Sequence, residues 1–200
     1  MTEPGVEIST GEAVTAPPTD YRLIVPDGWF RIPLEPDQWK RSIRALIDNA
    51  LQGQDDAAAL KRQLAKELGA RAEDAYRNGG VELYVSTTSI GPVPLSASLL
   101  VTVVPPDEDL GLSVSRKQRA QEIDEFLLPF AGPAIRRRTR TVPADDDSHG
   151  NSLPVTTVDY AVKIPMTTAS LLLTFSTSLD PFAEAMVELF EAIAKSLSWT

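Results

Sequence analysis

The chain has 200 residues and a formal net charge of −9, and it contains no cysteine. This length fits one domain with a real hydrophobic core, and the missing cysteines exclude disulfide frameworks, thiolate chemistry and cysteine-ligated metals. The acidic balance disfavours a general attraction to nucleic acid or to anionic membranes.

The negative charge is concentrated in segments typical of tails and loops. Residues 1–20 carry four acids and no basic residue, and acidic triplets follow at Asp107–Asp109 and Asp145–Asp147. We therefore predict a disordered acidic tail over residues 1–20 and a single domain over residues 21–200. No apolar run approaches the about 20 residues of a membrane span, and the N-terminus lacks the pattern of a secretory signal. These features predict a cytoplasmic protein.

The first part of the chain predicts a small hairpin followed by two helices. Residues 21–25 and 29–34 are strand-like and flank a Pro-Asp-Gly turn, which indicates an antiparallel pair. Pro36 and Asp37 are typical of a helix start. A second helix, with a stripe of leucines and alanines, follows and ends at Asn78-Gly79-Gly80.

The middle of the chain predicts strands with one helix between them. Residues 81–88 and 95–104 have the alternating pattern of half-buried strands. Ser115, with a glutamine three residues later, resembles a capping box, which predicts a helix over residues 115–128. Residues 134–142 are again strand-like.

The last part of the chain predicts a hairpin covered by a helix. Residues 153–164 and 170–178 alternate apolar and polar side chains and are joined by a short connection, so we expect an antiparallel pair. Asp180 and Pro181 indicate the start of an amphipathic helix. Its expected buried stripe is Phe182, Met186, Leu189, Ile193 and Leu197. Strands paired through short loops favour the α+β class, an antiparallel sheet with helices packed on it, over a doubly wound parallel fold.

The only histidine, His149, lies in an acidic loop. Asp145, Asp147 and the following glycine match three positions of a calcium loop, but Thr156 stands where the bidentate glutamate is needed. The acidic run of Asp145, Asp146 and Asp147 therefore favours a solvated loop between strands. One histidine without cysteine also argues against a closed zinc site.

Signatures of catalysis are missing from the sequence. There is no G-x-S-x-G elbow, no Walker A motif and no G-x-G-x-x-G loop. Paired carboxylates could form a site that sequence does not reveal, but most acids fall in tails, loops or solvent-facing helix positions. We therefore expect no enzymatic activity, no catalytic residues, no metal and no cofactor.

An arginine ladder, defined as Arg136, Arg138 and Arg140, is predicted to project from one face of a strand. Guanidinium groups suit carboxylates, so an acidic segment of a protein partner fits the ladder better than nucleic acid. The alternatives are that the ladder guards an exposed edge strand, or that it pairs with acids such as Asp159. The ladder and the triplet Asp145–Asp147 are our candidate partner-binding residues.

Three segments carry a family resemblance. The start at residues 21–30, with its Val-Pro-Asp-Gly-Trp motif, the strand at 171–177 and the helix at 190–197 resemble the PsbP-like α/β sandwich family, which includes small actinobacterial proteins. The resemblance spans residues 21–199. It implies an accessory or binding protein and carries over no catalytic residues.

These observations predict a non-enzymatic protein-interaction module, such as an adaptor, an immunity-type protein or an accessory subunit, whose partner is another protein. Two alternatives stay open. One is a carrier for a small apolar ligand, with a pocket between sheet and helices. The other is a carboxylate-based hydrolase without a recognisable signature.

Overall fold

A computed structural model describes residues 16–51, 58–90, 93–106, 121–142 and 153–200. Its elements in chain order are β1 (Tyr21–Arg22), β2 (Trp29–Pro33), α1 (Trp39–Ala50), α2 (Ala58–Arg77), β3 (Gly80–Ser86), β4 (Ser89–Ile90), β5 (Val93–Pro94), β6 (Ala97–Val104), β7 (Gln121–Leu128), β8 (Gly132–Thr141), β9 (Val155–Lys163), β10 (Ser170–Thr177), α3 (Ala183–Lys195) and β11 (Ser198–Trp199). A 3₁₀ turn at Asp180–Phe182 leads into α3.

Among the described strands, seven form one antiparallel sheet in the order β2-β3-β6-β10-β9-β8-β7. Helix α3 packs on one face of this sheet, and α1 and α2 pack on the other. The predicted α+β class, an antiparallel sheet with helices packed on it, is confirmed. None of the described helices combines the length and the apolarity needed to cross a membrane.

The larger core lies between α3 and the sheet. Phe190 of α3 stacks on Phe175 of β10 with ring centroids 5.0 Å apart, and Tyr160 of β9 meets Phe175 edge-on at 6.0 Å. All three side chains are fully buried. Each such burial contributes about 1.5–3 kcal/mol, so this aromatic row accounts for much of the attachment of α3.

The second core lies between α1, α2 and the β2-β3-β6 part of the opposite face. Ile32, Ile43 and Ile47 are buried there. Gly69 of α2 lies against Trp39 of α1, and a Cβ atom at this position would stand only 3.1 Å from the ring. The glycine therefore permits the close approach of the two helices. The main contacts of α1 and α2 with the sheet are with β2 and β3.

The predicted N-terminal hairpin is wrong. Strand β1 pairs with β11, where Tyr21 opposes Trp199, and β2 pairs with β3. Backbone groups near both chain ends meet, since the Asp20 N–H donates to the Thr200 carbonyl and the Thr200 N–H donates back to Asp20. Pairing with the seven-residue β3 also buries Ile32, which a detached hairpin could not do.

The predicted helix over residues 115–128 is wrong over residues 121–128. Residues 121–128 form strand β7, which pairs with β8 along its whole length, and residues 115–120 lie outside the described ranges. Phe126 and Leu128 point toward α3, whereas Ile123 and Leu127 point to the other face. Pairing with β8 overrides the local helix signal, because strand formation depends on its neighbours.

The closing hairpin and helix are confirmed, with a shift at the helix start. Strands β9 and β10 pair in full register. Helix α3 begins at Ala183, and the Asp180 carboxylate binds Arg140 instead of capping the helix. Phe182, expected in the buried stripe, is largely exposed, and Phe190 takes the central buried position.

Candidate functional site

The arginine ladder lies on an internal strand. Strand β8 has β9 on one side and β7 on the other, so the interpretation of the ladder as an edge guard is wrong. The three side chains project toward the face that α3 covers, because Arg136 and Arg138 oppose the buried Tyr160 and Val158 of β9.

Carboxylates of the same chain bind the ladder. Arg140 donates through Nε and Nη2 to the two carboxylate oxygens of Asp180, at 2.8 and 3.0 Å. Arg138 donates to both oxygens of Glu184. These hydrogen bonds hold the pKa values of Asp180 and Glu184 below their usual range and raise the pKa of Arg138 and Arg140. The ladder thus fastens the start of α3 to the sheet.

Arg136 occupies a more buried position. Its Nη1 lies 3.6 Å from the Asp124 Oδ2 atom of β7, and its guanidinium carbon lies 5.8 Å from the centre of the Phe126 ring. Its buried Nε has no hydrogen-bond partner among the described residues, and the same is true of the nearby Tyr160 hydroxyl. Burial raises the pKa of Tyr160 to about 12.

Asp159 pairs with Arg137, on the face opposite the ladder. The Arg137 Nε donates to Asp159 Oδ2 at 2.9 Å, and the Thr174 hydroxyl donates to Oδ1 at 2.8 Å. Asp159 is buried and Arg137 nearly so, with exposed side-chain fractions of 2% and 12%. The predicted pairing with Asp159 therefore exists, but it involves the arginine between the ladder residues.

A second buried carboxylate, Glu82 of β3, holds the N-terminal segment. It accepts hydrogen bonds from the hydroxyls of Tyr21 and Tyr84, at 2.9 and 2.7 Å, and from Arg31 Nε at 2.7 Å. Burial, followed by the Glu82 charge and hydrogen bond, raises the pKa of both tyrosines. The cluster joins the segment before β2 to the sheet.

The buried acids do not form a catalytic pair within the described part of the chain. Glu82 and Asp159 lie on opposite faces of the sheet, and an arginine binds each of them. The described residues contain no group of three histidine, cysteine, aspartate or glutamate side chains that could hold a metal ion. Asp145, Asp146, Asp147 and His149 lie outside the described ranges.

A cleft of about 480 Å³ lies between α2 and the sheet. Its apolar wall includes Leu68 of α2, and its floor on the sheet carries hydroxyls beside Leu100. Ser98 and Ser176 share a hydrogen bond across two strands, with their Oγ atoms 2.8 Å apart. The position is the one expected for a ligand carrier, but the hydroxyl floor is more polar than the sequence suggested.

The outer hairpin β7–β8 carries exposed apolar side chains. The hairpin face, defined as Ile123, Leu127 and Ile135, lies on the side of the sheet opposite α3. Ile123 is 50% exposed and Leu127 is 66% exposed. A groove of about 470 Å³ begins at Leu127 and Ile135 and reaches Ala161 and Ser170 on the neighbouring strands. Sequence reasoning missed this surface because it predicted a helix there.

Strand β7 is also an edge of the sheet, and in the described residues no strand pairs with its outer side. Natural edge strands are usually shortened or protected by proline or lysine. Strand β2, at the other edge, is five residues long and ends in Pro33. Strand β7 has eight residues and no proline or lysine, and three of its residues are acids. It is therefore the longer of the two edges, and its charge limits the strands that can pair with it.

No family model matches this chain, and no curated protein matches its sequence. Among solved structures it is similar to the Ran-binding protein Mog1p of Saccharomyces cerevisiae, at 11% identity and a TM-score of 0.42 over 59% of this chain and 78% of that one. A point mutant of Mog1 gives 10% identity and a TM-score of 0.43, over 60% and 79% of the two chains.

A third similar structure is LpqN, a protein involved in cell envelope biogenesis of Mycobacterium tuberculosis. The identity is 13% and the TM-score 0.48, over 94% of this chain and 87% of that one. These similarities are distant. The sheet with helices on both faces is an α/β sandwich by its own geometry, and membership of the PsbP-like family stays a prediction.

Proposed function

We propose that this protein is a non-enzymatic interaction module, an adaptor or accessory subunit, which binds another protein through the hairpin β7–β8. The observation that carries the proposal is the eight-residue edge strand β7, whose outer side pairs with no strand of the described residues, with the exposed hairpin face beside it. Leu127 and Ile135 line one groove with polar residues at its rim, and apolar grooves of this kind are typical of binding sites. Burying Leu127 and Ile123 would contribute about 25 cal/mol per Å² of apolar surface removed from water.

The buried carboxylates are bound by donors of the same chain, and this supports a binding role over catalysis. Asp159 and Glu82 are saturated by arginine and hydroxyl donors of the same chain. A general acid or base must be able to exchange its proton with substrate, and a carboxylate held in this way is arranged for structure.

Docking of an acidic partner segment on the arginine ladder stays a prediction. Such a segment would have to displace Glu184 from Arg138 and Asp180 from Arg140. Arg140 is 46% exposed, so the exchange would begin at this end of the ladder. Binding at the hairpin β7–β8 requires no such displacement, which favours the hairpin as the main contact.

Site-specific photo-crosslinking in cells of the source organism tests the proposal. A benzophenone amino acid at Leu127 or Ile123 is expected to capture one and the same protein from both positions. The matched control is Tyr76, which is similarly exposed on α2. Absence of a crosslinked protein at both hairpin positions, or the same product from Tyr76, would contradict the proposal.

The cleft beneath α2 favours a second candidate function, a carrier for a small amphiphilic ligand. The apolar wall and the hydroxyl floor would suit a molecule with one apolar side and one polar side. Native mass spectrometry should then show a co-purifying molecule that disappears when Ser98→Leu fills the floor. A spectrum of the wild-type protein that shows only the mass of the ligand-free chain would rule out the carrier function.

A further inference from the structure

We infer that the partner binds by strand addition, in which an extended segment with alternating basic and apolar residues pairs with β7 and continues the sheet. This inference rests on the proposed function, because it names how the same hairpin holds its partner. Extended segments commonly bind exposed sheet edges in this way, with main-chain hydrogen bonds giving affinity and side chains giving specificity.

The backbone of β7 supplies the first requirement. One side of Gln121–Leu128 is paired with β8 along eight residues, and no strand of the described chain pairs with the other side. A strand of this length extends for about 27 Å. In an antiparallel ladder alternate residues point their N–H and C=O groups to each side, so about four residues of β7 offer both groups to an added strand.

The side chains of β7 set the chemistry of the partner. Glu122 and Asp124 point to the α3 side, and Glu125 points to the other side between the exposed Ile123 and Leu127. Strand β7 contains three acids and no basic residue. Opposite charges on directly opposed residues stabilise a strand pair. A partner strand therefore needs basic residues opposite Glu122 and Asp124 on one face and apolar residues opposite Ile123 and Leu127 on the other.

A second copy of this chain does not meet these requirements. In a two-fold antiparallel pair of β7 strands, residues of equal parity oppose each other, because opposed side chains lie on the same face. The registers with the most pairing centre on Asp124 or Glu125, and each places a carboxylate directly opposite its own copy. Like charges in this position are destabilising. The charge pattern selects a basic segment of another protein.

A synthetic peptide of eight residues, alternating lysine and valine and blocked at both ends, is a suitable probe. Fluorescence anisotropy is expected to show saturable binding with a Kd of about 0.1 mM. A glutamate–valine peptide of the same length is the control for charge and should bind at least about tenfold more weakly. Equal binding of the two peptides would overturn the inference.

Two N-methylated versions of the lysine–valine peptide test the backbone pairing. One version carries the methyl groups on all lysines and the other on all valines. Only alternate residues of an added strand donate their N–H to the edge. We expect one version to lose binding and the other to stay within about threefold of the parent. Equal loss, or no loss, in both versions would exclude strand addition.

Charge reversal on β7 locates the site. The variant Glu122→Lys/Glu125→Lys is expected to weaken binding of the lysine–valine peptide at least about tenfold. The matched control, Glu67→Lys/Glu188→Lys, makes the same change of charge at exposed positions on α2 and α3 and should bind like wild type. Equal weakening in both variants would overturn the inference, since it would show attraction by net charge alone.

The outcomes separate this inference from the proposed function. A crosslinked partner at Leu127 without peptide binding would support the proposed interaction module and contradict strand addition. Peptide binding at β7 without any crosslinked partner would keep the edge chemistry and remove the proposed function. A dimer in sedimentation experiments that Glu122→Lys/Glu125→Lys dissociates would contradict binding of another protein. It would show that the strand added to β7 belongs to a second copy of this chain.

Discussion

Arg137 of β8 and Asp159 of β9 form a buried ion pair on the sheet face opposite α3, with Arg137 Nε 2.9 Å from Asp159 Oδ2. Thr174 of β10 donates to the second carboxylate oxygen, so this network links three neighbouring strands. The pair explains why a run of arginines occurs on an internal strand. Arg137 neutralises a buried carboxylate, and Arg138 and Arg140 of the ladder hold the helix on the other face.

Removal of one partner of this pair should destabilise the protein strongly. Arg137→Met is expected to lower the free energy of unfolding by about 3–5 kcal/mol, because it leaves the Asp159 carboxylate, which is only 2% exposed, without its counter-ion. Urea denaturation followed by circular dichroism measures this change. The double variant Arg137→Met/Asp159→Leu should recover most of the loss, and a double variant less stable than the single one would contradict this account.

Two adjacent leucines test the alternation of buried and exposed side chains along strand β7. Leu128→Ala is expected to cost about 2–5 kcal/mol, because Leu128 is fully buried under α3. Leu127→Ala should change the free energy of unfolding by less than about 0.5 kcal/mol, because its side chain points to solvent. Chemical denaturation of both variants gives the comparison. Similar losses in the two variants would show that the alternation of faces along β7 is wrong.

The ion pairs of Asp180 and Glu184 predict a pH dependence of stability. The pKa values of both carboxyl groups are lowered in the folded protein, by hydrogen bonds from Arg140 and Arg138. Their contribution is therefore present above the unfolded carboxyl pKa and is lost as the pH falls through the folded pKa values. Wild type should exceed Asp180→Asn/Glu184→Gln in Tm at pH 7, and the difference should shrink below about pH 4.

Thermal unfolding between pH 3 and pH 8 measures this difference. Glu188→Gln, which neutralises an exposed acid on the same helix, is the control and should follow wild type across this range. A Tm difference that stays constant or grows on acidification would contradict the assignment of the two ion pairs.

The hydroxyl of Tyr160 should contribute nothing to stability. It is buried without a hydrogen-bond partner among the described residues, whereas its ring packs on Phe126 and Phe175. Tyr160→Phe is expected to keep or increase the free energy of unfolding by up to about 1 kcal/mol, and Tyr160→Ala to lower it by about 3–5 kcal/mol. A loss above about 1 kcal/mol in Tyr160→Phe would reveal a partner for the hydroxyl.

Periodicity identified most of the sheet, because one face of its strands is more apolar than the other. Strands β6, β9 and β10 alternate apolar and polar residues, and this pattern follows directly from one face meeting a core. The same reasoning failed for strand β7. Ile123, Phe126 and Leu127 also fit a helical stripe, and only the pairing with β8 decides between the two structures.

The candidate site was less predictable, because it depends on contacts between distant parts of the chain. The arginine ladder is evident in the sequence, but its partners Asp180 and Glu184 lie 40 and 46 residues away. The same limitation applies to the pairing of β1 with β11, which joins the two ends of the described chain. The edge of a sheet becomes visible only when the strand order is known.

Hydrogen exchange of the β7 amides, measured by NMR with and without the lysine–valine peptide, tests the central claim most directly. Saturating peptide should slow exchange at least about tenfold at alternate residues of Gln121–Leu128, those whose N–H groups point away from β8. Amides of β2, at the opposite edge, should be unchanged. Uniform rates along β7, or protection at β2 in its place, would contradict the assignment of β7 as the docking edge.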